Sequence, residues 1–219
     1  MSNEMTNYLH FDSDILVGGV DESNRGGLIY DVIASCVVLP QIFADDQYLE
    51  IKDSKKLTFK KRRRLAEYIK ENAITYGIGK ATNYEIDSTN ILSSTMKAMN
   101  RAIDEAYKKH SFHELKIDGP YFNGYVPPGF DKEILPHECV IKGDSKYLNI
   151  AAASILAKDY HDVKMLELIN DYPILERYDL ANNQGYGTKK HIDAINKYGI
   201  TNFHRKSFGP CKNKSCINL

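Results

Sequence analysis

Two short apolar runs, "ILVGGV" (15–20) and "VIASCVVLP" (32–40), are rich in β-branched residues and predict two strands. The segment between them is long enough to carry function. "LTFKKRRRLAEYIKENA" then predicts a helix with Thr58 as N-cap. Its apolar stripe is Leu57, Leu65, Tyr68 and Ile69, on an otherwise basic surface. "ITYGIGKAT" predicts a third strand. "EIDSTNILSSTMKAMNRAIDEAYKK" predicts one long helix, periodic through Ile91, Met96, Met99, Ile103 and Ala106. "ELKIDG" and "ECVIKGD" predict short strands ending in Asp118 and Asp144, with the Gly-, Pro- and aromatic-rich loop "YFNGYVPPGF" between them. "YLNIAAASILAKDYHDVKMLELIN" predicts a strong helix, small and apolar on one side, and a further helix is expected near 188–198. Three consecutive strands, a helix, two more strands and then helices make an α/β pattern with a mixed sheet.

Composition adds little to this and charge adds more. The 219 residues suit one domain with a modest appendage, and 42% hydrophobic with 26% charged residues is ordinary for a soluble protein. No run of about 18 apolar residues predicts a membrane span. The polar, acidic start does not read as a secretory signal. Cys36, Cys139, Cys211 and Cys216 are scattered and read as reduced thiols of a cytoplasmic protein. The tail pair in "CKNKSC" is too loosely spaced, without a second pair, to argue for a metal. Net charge is zero but segregated. Residues 1–50 hold nine acids against Arg25, and residues 51–70 hold nine lysines and arginines against Asp53 and Glu67. The last twenty residues carry four basic groups and no acid. Such clusters make a local phosphate-binding face or a solvated helix face.

Asp21, Asp118 and Asp144 share one local grammar. Each follows a short apolar strand and precedes turn residues, at the strand ends where sites in open α/β sheets gather. With Glu22 they form a convergent set of hard oxygen ligands that selects Mg²⁺ or Mn²⁺. A two-metal carboxylate site suits in-line displacement at a phosphodiester. Each acid taken singly is also an ordinary turn or cap residue.

The ordered segments "GVDESNRGG", "DSKKL", "IDG", "KGDSKYLNIAAASILAK", "GYGTKKH" and "HRKSF" resemble ribonuclease HII, the type 2 ribonuclease H family, from about residue 16 to 208. The resemblance implies a ribonuclease H-like mixed five-stranded sheet flanked by helices, with a C-terminal helical extension. The expected division is a polar segment over 1–15, the catalytic domain over 16–170, and the extension and basic tail over 171–219, packed on the same domain. It implies cleavage of the RNA strand of RNA–DNA hybrids, and of duplex DNA 5′ of an embedded ribonucleotide, leaving 5′-phosphomonoesters, with Mg²⁺ or Mn²⁺. The family's metal-binding and catalytic acids fall on Asp21, Glu22, Asp118 and Asp144. Its 2′-hydroxyl-sensing loop falls on Asn24, Arg25 and Gly26, and its junction-stacking tyrosine on Tyr186.

Lys55, Lys56, Lys142 and Lys146 are candidate phosphate contacts, as is the run Lys60 to Arg64, and all also read as ordinary surface charges. His204 and Arg205 are expected to anchor the extension, and Asp31 to be a surface residue. A monomer is expected, in a role in DNA replication and repair. The tail "CKNKSCINL" lacks the aromatic pair of a sliding-clamp motif. The chain departs from the family at Asn24, where the family has glycine, at Leu28 to Asp31, and at His161-Asp162, where arginine-aspartate is usual. Asn24 adds bulk where the backbone must approach a ribose. The expected consequence is weakened junction cleavage, with a catalytically weakened hybrid-binding protein as the alternative.

Overall fold

The structure, a computed structural model, describes residues 15–52, 54–129 and 133–219. The expected N-terminal segment lies outside the described residues apart from Ile15, as does Asp53. The sheet has five strands in the order β3-β2-β1-β4-β5. Here β1 is Val17–Ser23, β2 Val32–Val38, β3 Thr75–Ala81, β4 Glu114–Asp118 and β5 His137–Val140. The first three form an antiparallel meander, and β4 and β5 run parallel to β1 and to each other. The mixed five-stranded sheet expected from the sequence is therefore present.

The helices α1 (Phe59–Asn72), α2 (Asn83–Ser88), α3 (Ile91–Lys109) and α4 (Leu148–Asp171) cover both faces. One core joins α2 and α3 to the sheet through Val20, Cys36, Met99, Ile103, Leu115 and Ile117. A second joins α1 and α4 to the opposite face through Val37, Leu65, Ile69, Ala152 and Leu156. Thr58 caps α1 by accepting from the Lys61 N–H, and its predicted stripe, Leu57, Leu65, Tyr68 and Ile69, is buried.

The approach of helix to sheet is set by glycine and alanine. A Cβ at Gly19 would sit 2.2 Å from the Asn149 backbone of α4. Cβ atoms at Gly77 and Gly79 would each meet α3 backbone carbonyls at 2.1 Å. Asn149 then donates to the Val17 carbonyl at 2.7 Å, and Ser35 to the Ala153 carbonyl at 2.7 Å, pinning α4 across β1 and β2.

Three sequence expectations change. The long helix over 85–109 is two helices, because Thr89 (φ −127°, ψ −100°) leaves helical geometry and Asn90 caps α3 by accepting from Ser93 N–H. Asp21 lies within β1, not past its end. The strand before Asp144 stops at Val140: Lys142 is left-handed at φ +57°, and Asp144 sits in a 3₁₀ turn, Gly143–Ser145.

Beyond α4 the chain forms a 3₁₀ turn (Pro173–Tyr178), α5 (Leu180–Asn183), α6 (Lys189–Tyr198) and the small parallel pair β6 (Ile200–Thr201) and β7 (Cys216–Ile217). A third core joins this segment to the end of α4, through Met165 and Leu168, and to Leu28 and Ile29 from the β1–β2 connection.

Candidate active site

The parallel β1–β4 ladder sets Val20 beside Ile117, so the next residues on neighbouring strands are Asp21 and Asp118. Val20 and Ile117 belong to the α3-side core, so strand alternation turns both aspartates to the α4 face. Asp21 is buried. Its Oδ1 accepts from the Glu22 N–H at 2.7 Å, and its carboxyl is hydrogen-bonded to Ser154 of α4. Burial, followed by the like charges of Glu22 and Asp118, pushes the Asp21 carboxyl well above the usual carboxylate range. Burial also raises Glu22, against the nearby Arg25, with Asp118 adding to the rise. Asp118 Oδ1 accepts from the Gly143 N–H at 2.6 Å, which ties the β5–α4 turn, and half-buried Asp144 with it, to the end of β4. Among the described residues, no three His, Cys, Asp or Glu side chains stand close enough to enclose one ion as placed. The Asp21–Glu22–Asp118 set is nonetheless a group of hard oxygen donors held together against its own repulsion. It therefore fits a divalent cation as counter-charge.

Sequence reasoning missed Ser154 and Ser54. The Ser154 hydroxyl lies 2.9 Å from that of buried Ser54, so Ser154 bridges Asp21 to the turn that bears Lys55 and Lys56. The only signal was a hydroxyl inside the otherwise apolar "AAASIL" run.

Asn24 overturns an expectation. It is left-handed at φ +63°, and its side chain turns inward, not toward a substrate. The Asn24 amide Nδ2 donates to the Ile29 carbonyl at 3.0 Å and the Asp31 carbonyl at 2.9 Å. A Cβ at Gly27 would lie 1.8 Å from Asn24 Oδ1, so the Asn24 side chain fills the space that Gly27 leaves. The bulk argument for weakened junction recognition is thereby removed: asparagine tolerates the left-handed turn and staples it. Arg25 and Gly26 remain exposed at the tip, with Arg25 Nη1 3.5 Å from Glu22 Oε1.

Arg205 holds this loop. Its guanidinium is fully buried and donates to the carbonyls of Asn24 (2.7 Å), Gly27 (2.8 Å), Arg25 (3.0 Å) and Tyr30 (2.9 Å). It thus does more than anchor the extension: it gathers the loop that carries Arg25. Burial lowers its pKa to about 10, which leaves it charged at neutral pH. Asp31, expected on the surface, is buried. Its Oδ1 accepts from the Asn83 N–H at 3.2 Å, and Lys80 lies at 3.6 Å.

Tyr186 reaches the same loop from the extension. It pairs with Gly27 through an isolated β-bridge, and a Cβ at Gly26 would lie 3.9 Å from its ring. The ring is 38% exposed, with Lys158 Nζ 5.6 Å from its centroid.

Much of the basic run is engaged in ion pairs with the protein's own acids. Arg62 pairs with buried Asp162 at 2.5 Å and Arg63 with Asp159 at 2.6 Å, while Lys61 and Arg64 both pair with Glu50. The expectation that the run Lys60 to Arg64 contacts phosphate is corrected for Arg62, which is buried; the Lys61, Arg63 and Arg64 side chains stay 37%, 44% and 53% exposed. His161 and Asp162, the departure after "ASILAK", sit side by side with Nδ1 3.1 Å from Oδ1, and Lys158 completes the buried network at 2.7 Å. Lys55, Lys56, Lys142 and Lys146 are exposed around the acids, on the Ser54–Lys56 turn and the Gly143–Ser145 turn with its flanks.

The family model described as "Ribonuclease HII" matches residues 18–211. The ribonuclease HII of Caldanaerobacter subterraneus subsp. tengcongensis is 46% identical over 193 residues, covering 88% of this chain and 73% of that protein. The ribonuclease H2 structure from Pyrococcus horikoshii superposes with a TM-score of 0.69 at 20% identity, covering 90% of this chain and 95% of that one. A structure of Bst-RNase HIII in complex with Mn²⁺ superposes with a TM-score of 0.68 at 18% identity, covering 96% and 74%. The family match across nearly the whole fold, and the acids, loop and tyrosine assembled on it, lead to one conclusion: this chain belongs to the ribonuclease HII family of ribonuclease H endonucleases.

Proposed function

We propose that the chain hydrolyses the RNA strand of RNA–DNA hybrids and cuts 5′ of ribonucleotides embedded in duplex DNA, leaving 5′-phosphomonoesters. The observation that carries this reading is the convergence of two elements. One is the buried, mutually repelling Asp21–Glu22–Asp118 set. The other is the Arg205-braced loop that presents Arg25 and Gly26 beside Tyr186. Asp21, Glu22, Asp118 and Asp144 would hold Mg²⁺ or Mn²⁺, which when bound supplies Lewis-acid activation and charge neutralisation at a phosphodiester. The Mn²⁺ complex of the structurally similar Bst-RNase HIII supports a divalent ion on this fold.

The residues of the chain do the positioning. The left-handed turn at Asn24 directs exposed Arg25 and Gly26 outward next to Glu22, where a ribose adjoining the scissile phosphate would lie. A 2′-hydroxyl offers both a donor and an acceptor to such a backbone, which is the basis for telling RNA from DNA. The half-exposed Tyr186 ring stacks on the neighbouring sugar or base. Lys55, Lys56, Lys142 and Lys146 contact phosphates and fix register without reading sequence. The protein acts as a cytoplasmic monomer in ribonucleotide removal during DNA replication and repair.

The test is incubation with a DNA duplex carrying one ribonucleotide, and with a continuous RNA–DNA hybrid, in Mg²⁺ or Mn²⁺. Products are resolved on a denaturing gel. Cleavage of both, lost in Asp21→Asn while hybrid binding persists, is the expected result; an Asp21→Asn variant with near-normal rates refutes the assignment.

A further inference from the structure

His191 and His204 form a buried pair that none of the roles above uses. Both residues are fully buried, and their Nε2 atoms are 3.2 Å apart. Donor accounting assigns every proton. The Thr201 backbone N–H can only donate, and it lies 3.0 Å from His204 Nδ1, so that nitrogen is the acceptor. The Thr201 hydroxyl reaches the same nitrogen at 2.9 Å. A neutral His204 therefore carries its proton on Nε2. One proton fits between the two Nε2 atoms, so His191 Nε2 accepts it. His191 then carries its own proton on Nδ1, 3.0 Å from the Tyr186 carbonyl. That carbonyl also accepts from the Thr188 N–H at 2.8 Å, so both its lone pairs are filled.

Among the described residues, no carboxylate hydrogen-bonds to or packs against either ring. Tyr178 packs edge-on against both rings, at 5.9 and 4.8 Å between centroids, and its hydroxyl donates to the Gly199 carbonyl. Tyr178 is the titratable side chain packed on both rings, and the chain neighbours Lys190 of His191 and Arg205 of His204 are cations. A second proton on His191 would set N–H against N–H across the 3.2 Å contact, and one on His204 Nδ1 would face the Thr201 N–H at 3.0 Å.

The pair also has a consequence for geometry. His204 and Arg205 are consecutive. His204 acts through His191 on the Tyr186 backbone, and Arg205 gathers the loop that faces the Tyr186 ring. One short stretch of the extension thus sets both walls of the gap between Gly26 and Tyr186. We infer that His191 and His204 are specificity-determining positioning residues: a neutral pair, locked in one tautomer, that fixes Tyr186 against the Asn24–Gly27 turn. Their loss is then felt where a single ribonucleotide must be registered, and less on a continuous RNA tract that offers many registers. This rests on the reading of Tyr186 and the turn as the junction-sensing part.

The test compares His191→Phe, His191→Asn and Tyr186→Ala on a single-ribonucleotide duplex and a continuous hybrid. Imidazole nitrogen NMR of the wild-type protein reports the tautomers. His191→Phe keeps the ring and removes the donor. It should lower kcat/KM on the single-ribonucleotide duplex ~10-fold or more, with the hybrid changed less than ~3-fold. His191→Asn places an amide N–H near the Nδ1 position and should recover much of the loss. NMR should show His204 protonated on Nε2 and His191 on Nδ1, both neutral at pH 6. Equal losses on both substrates, no loss on either, or the opposite tautomers overturn the inference. If His191→Phe does not fold, the tautomers decide. If Tyr186→Ala shifts the substrate ratio and folded His191→Phe does not, the positioning role fails and the Tyr186 reading stands. If Tyr186→Ala leaves the ratio unchanged, the Tyr186 reading itself fails and takes the specificity role with it.

Discussion

Asn24 shows how a single residue changes meaning once its direction is known. Its amide satisfies two buried carbonyls in a turn where φ is +63°. Asn24→Gly relieves the left-handed backbone but strands both carbonyls. The backbone relief is worth about 1 kcal/mol and each lost buried hydrogen bond about 1–3 kcal/mol, so the losses win. The variant should melt ~3–6 °C lower and gain no junction activity; a rise in single-ribonucleotide cleavage would restore the view of Asn24 as an impediment. Asp21 behaves in the opposite sense. Its raised carboxyl means that ionisation works against the cation-free fold, by burial first and then by Glu22 and Asp118. Removing the charge in Asp21→Asn should therefore raise the melting temperature of cation-free protein while abolishing cleavage. The same variant should lose most of the stabilisation that wild-type protein gains from added Mn²⁺.

At the scale of elements, the contact of α4 with β1 decides where the acids stand. Gly19 lets the Asn149–Ile150 backbone lie directly on the strand, two residues from Asp21. The small run Ala151–Ser154 continues that contact, and Ser154 meets Asp21. A methyl at position 19 meets backbone at 2.2 Å, which no side-chain rotation relieves. Gly19→Ala should cost several kcal/mol or abolish soluble expression, because α4 must slide. Unchanged thermal unfolding of that variant would show that the helix does not sit so close.

Across the whole molecule, charge is organised by pairing, not by composition. Buried Arg62 is tied to Asp162 and offers little to a phosphate backbone, while Lys61, Arg63 and Arg64 are exposed with their charge partly offset by Glu50 and Asp159. Charge reversal of Lys55 and Lys56 should flatten the salt dependence of hybrid binding by about 2 in log–log slope, whereas reversal of Lys61 and Arg64 should change it less. Acid stability follows from the buried histidines. Burial lowers His161, His191 and His204, the last to about 3. Their folded values lie below the unfolded value of about 6.5, so the stability they contribute is complete above that pH and is lost as pH falls toward the folded values. The unfolding free energy from urea melts should thus drop between pH 6.5 and 5, by up to about 2 kcal/mol for His204 and in the same direction for His161 and His191. The window lies above the range where ordinary carboxylates titrate. The raised carboxyls of Asp21, Glu22, Asp31 and Asp159 act in the opposite sense, so a flat profile would mean that they offset the histidines or that one of these rings is already charged in the fold.

The hydrophobic pattern by itself determined the five strands, the principal helices and the α/β class, because burial of one face leaves a period of two or of 3.6 in the chain. Ordered short motifs likewise marked Asp21, Glu22, Asp118 and Asp144 before any coordinates. Directions and partners were not legible. That Asn24 turns inward, that Asp31 is buried, and that four of the basic residues of the 60–64 run are paired depends on chain segments up to about a hundred residues away. The break between α2 and α3 is local, yet helical periodicity continues across it and conceals the cap at Asn90. Most of all, Arg205 and the His191–His204 pair read in the sequence only as parts of the motifs "HRKSF" and "GYGTKKH". Arg205 works across 180 residues of chain and His191 across 5, both on carbonyls that carry no side-chain signature, and only the folded extension brings donors and acceptors together.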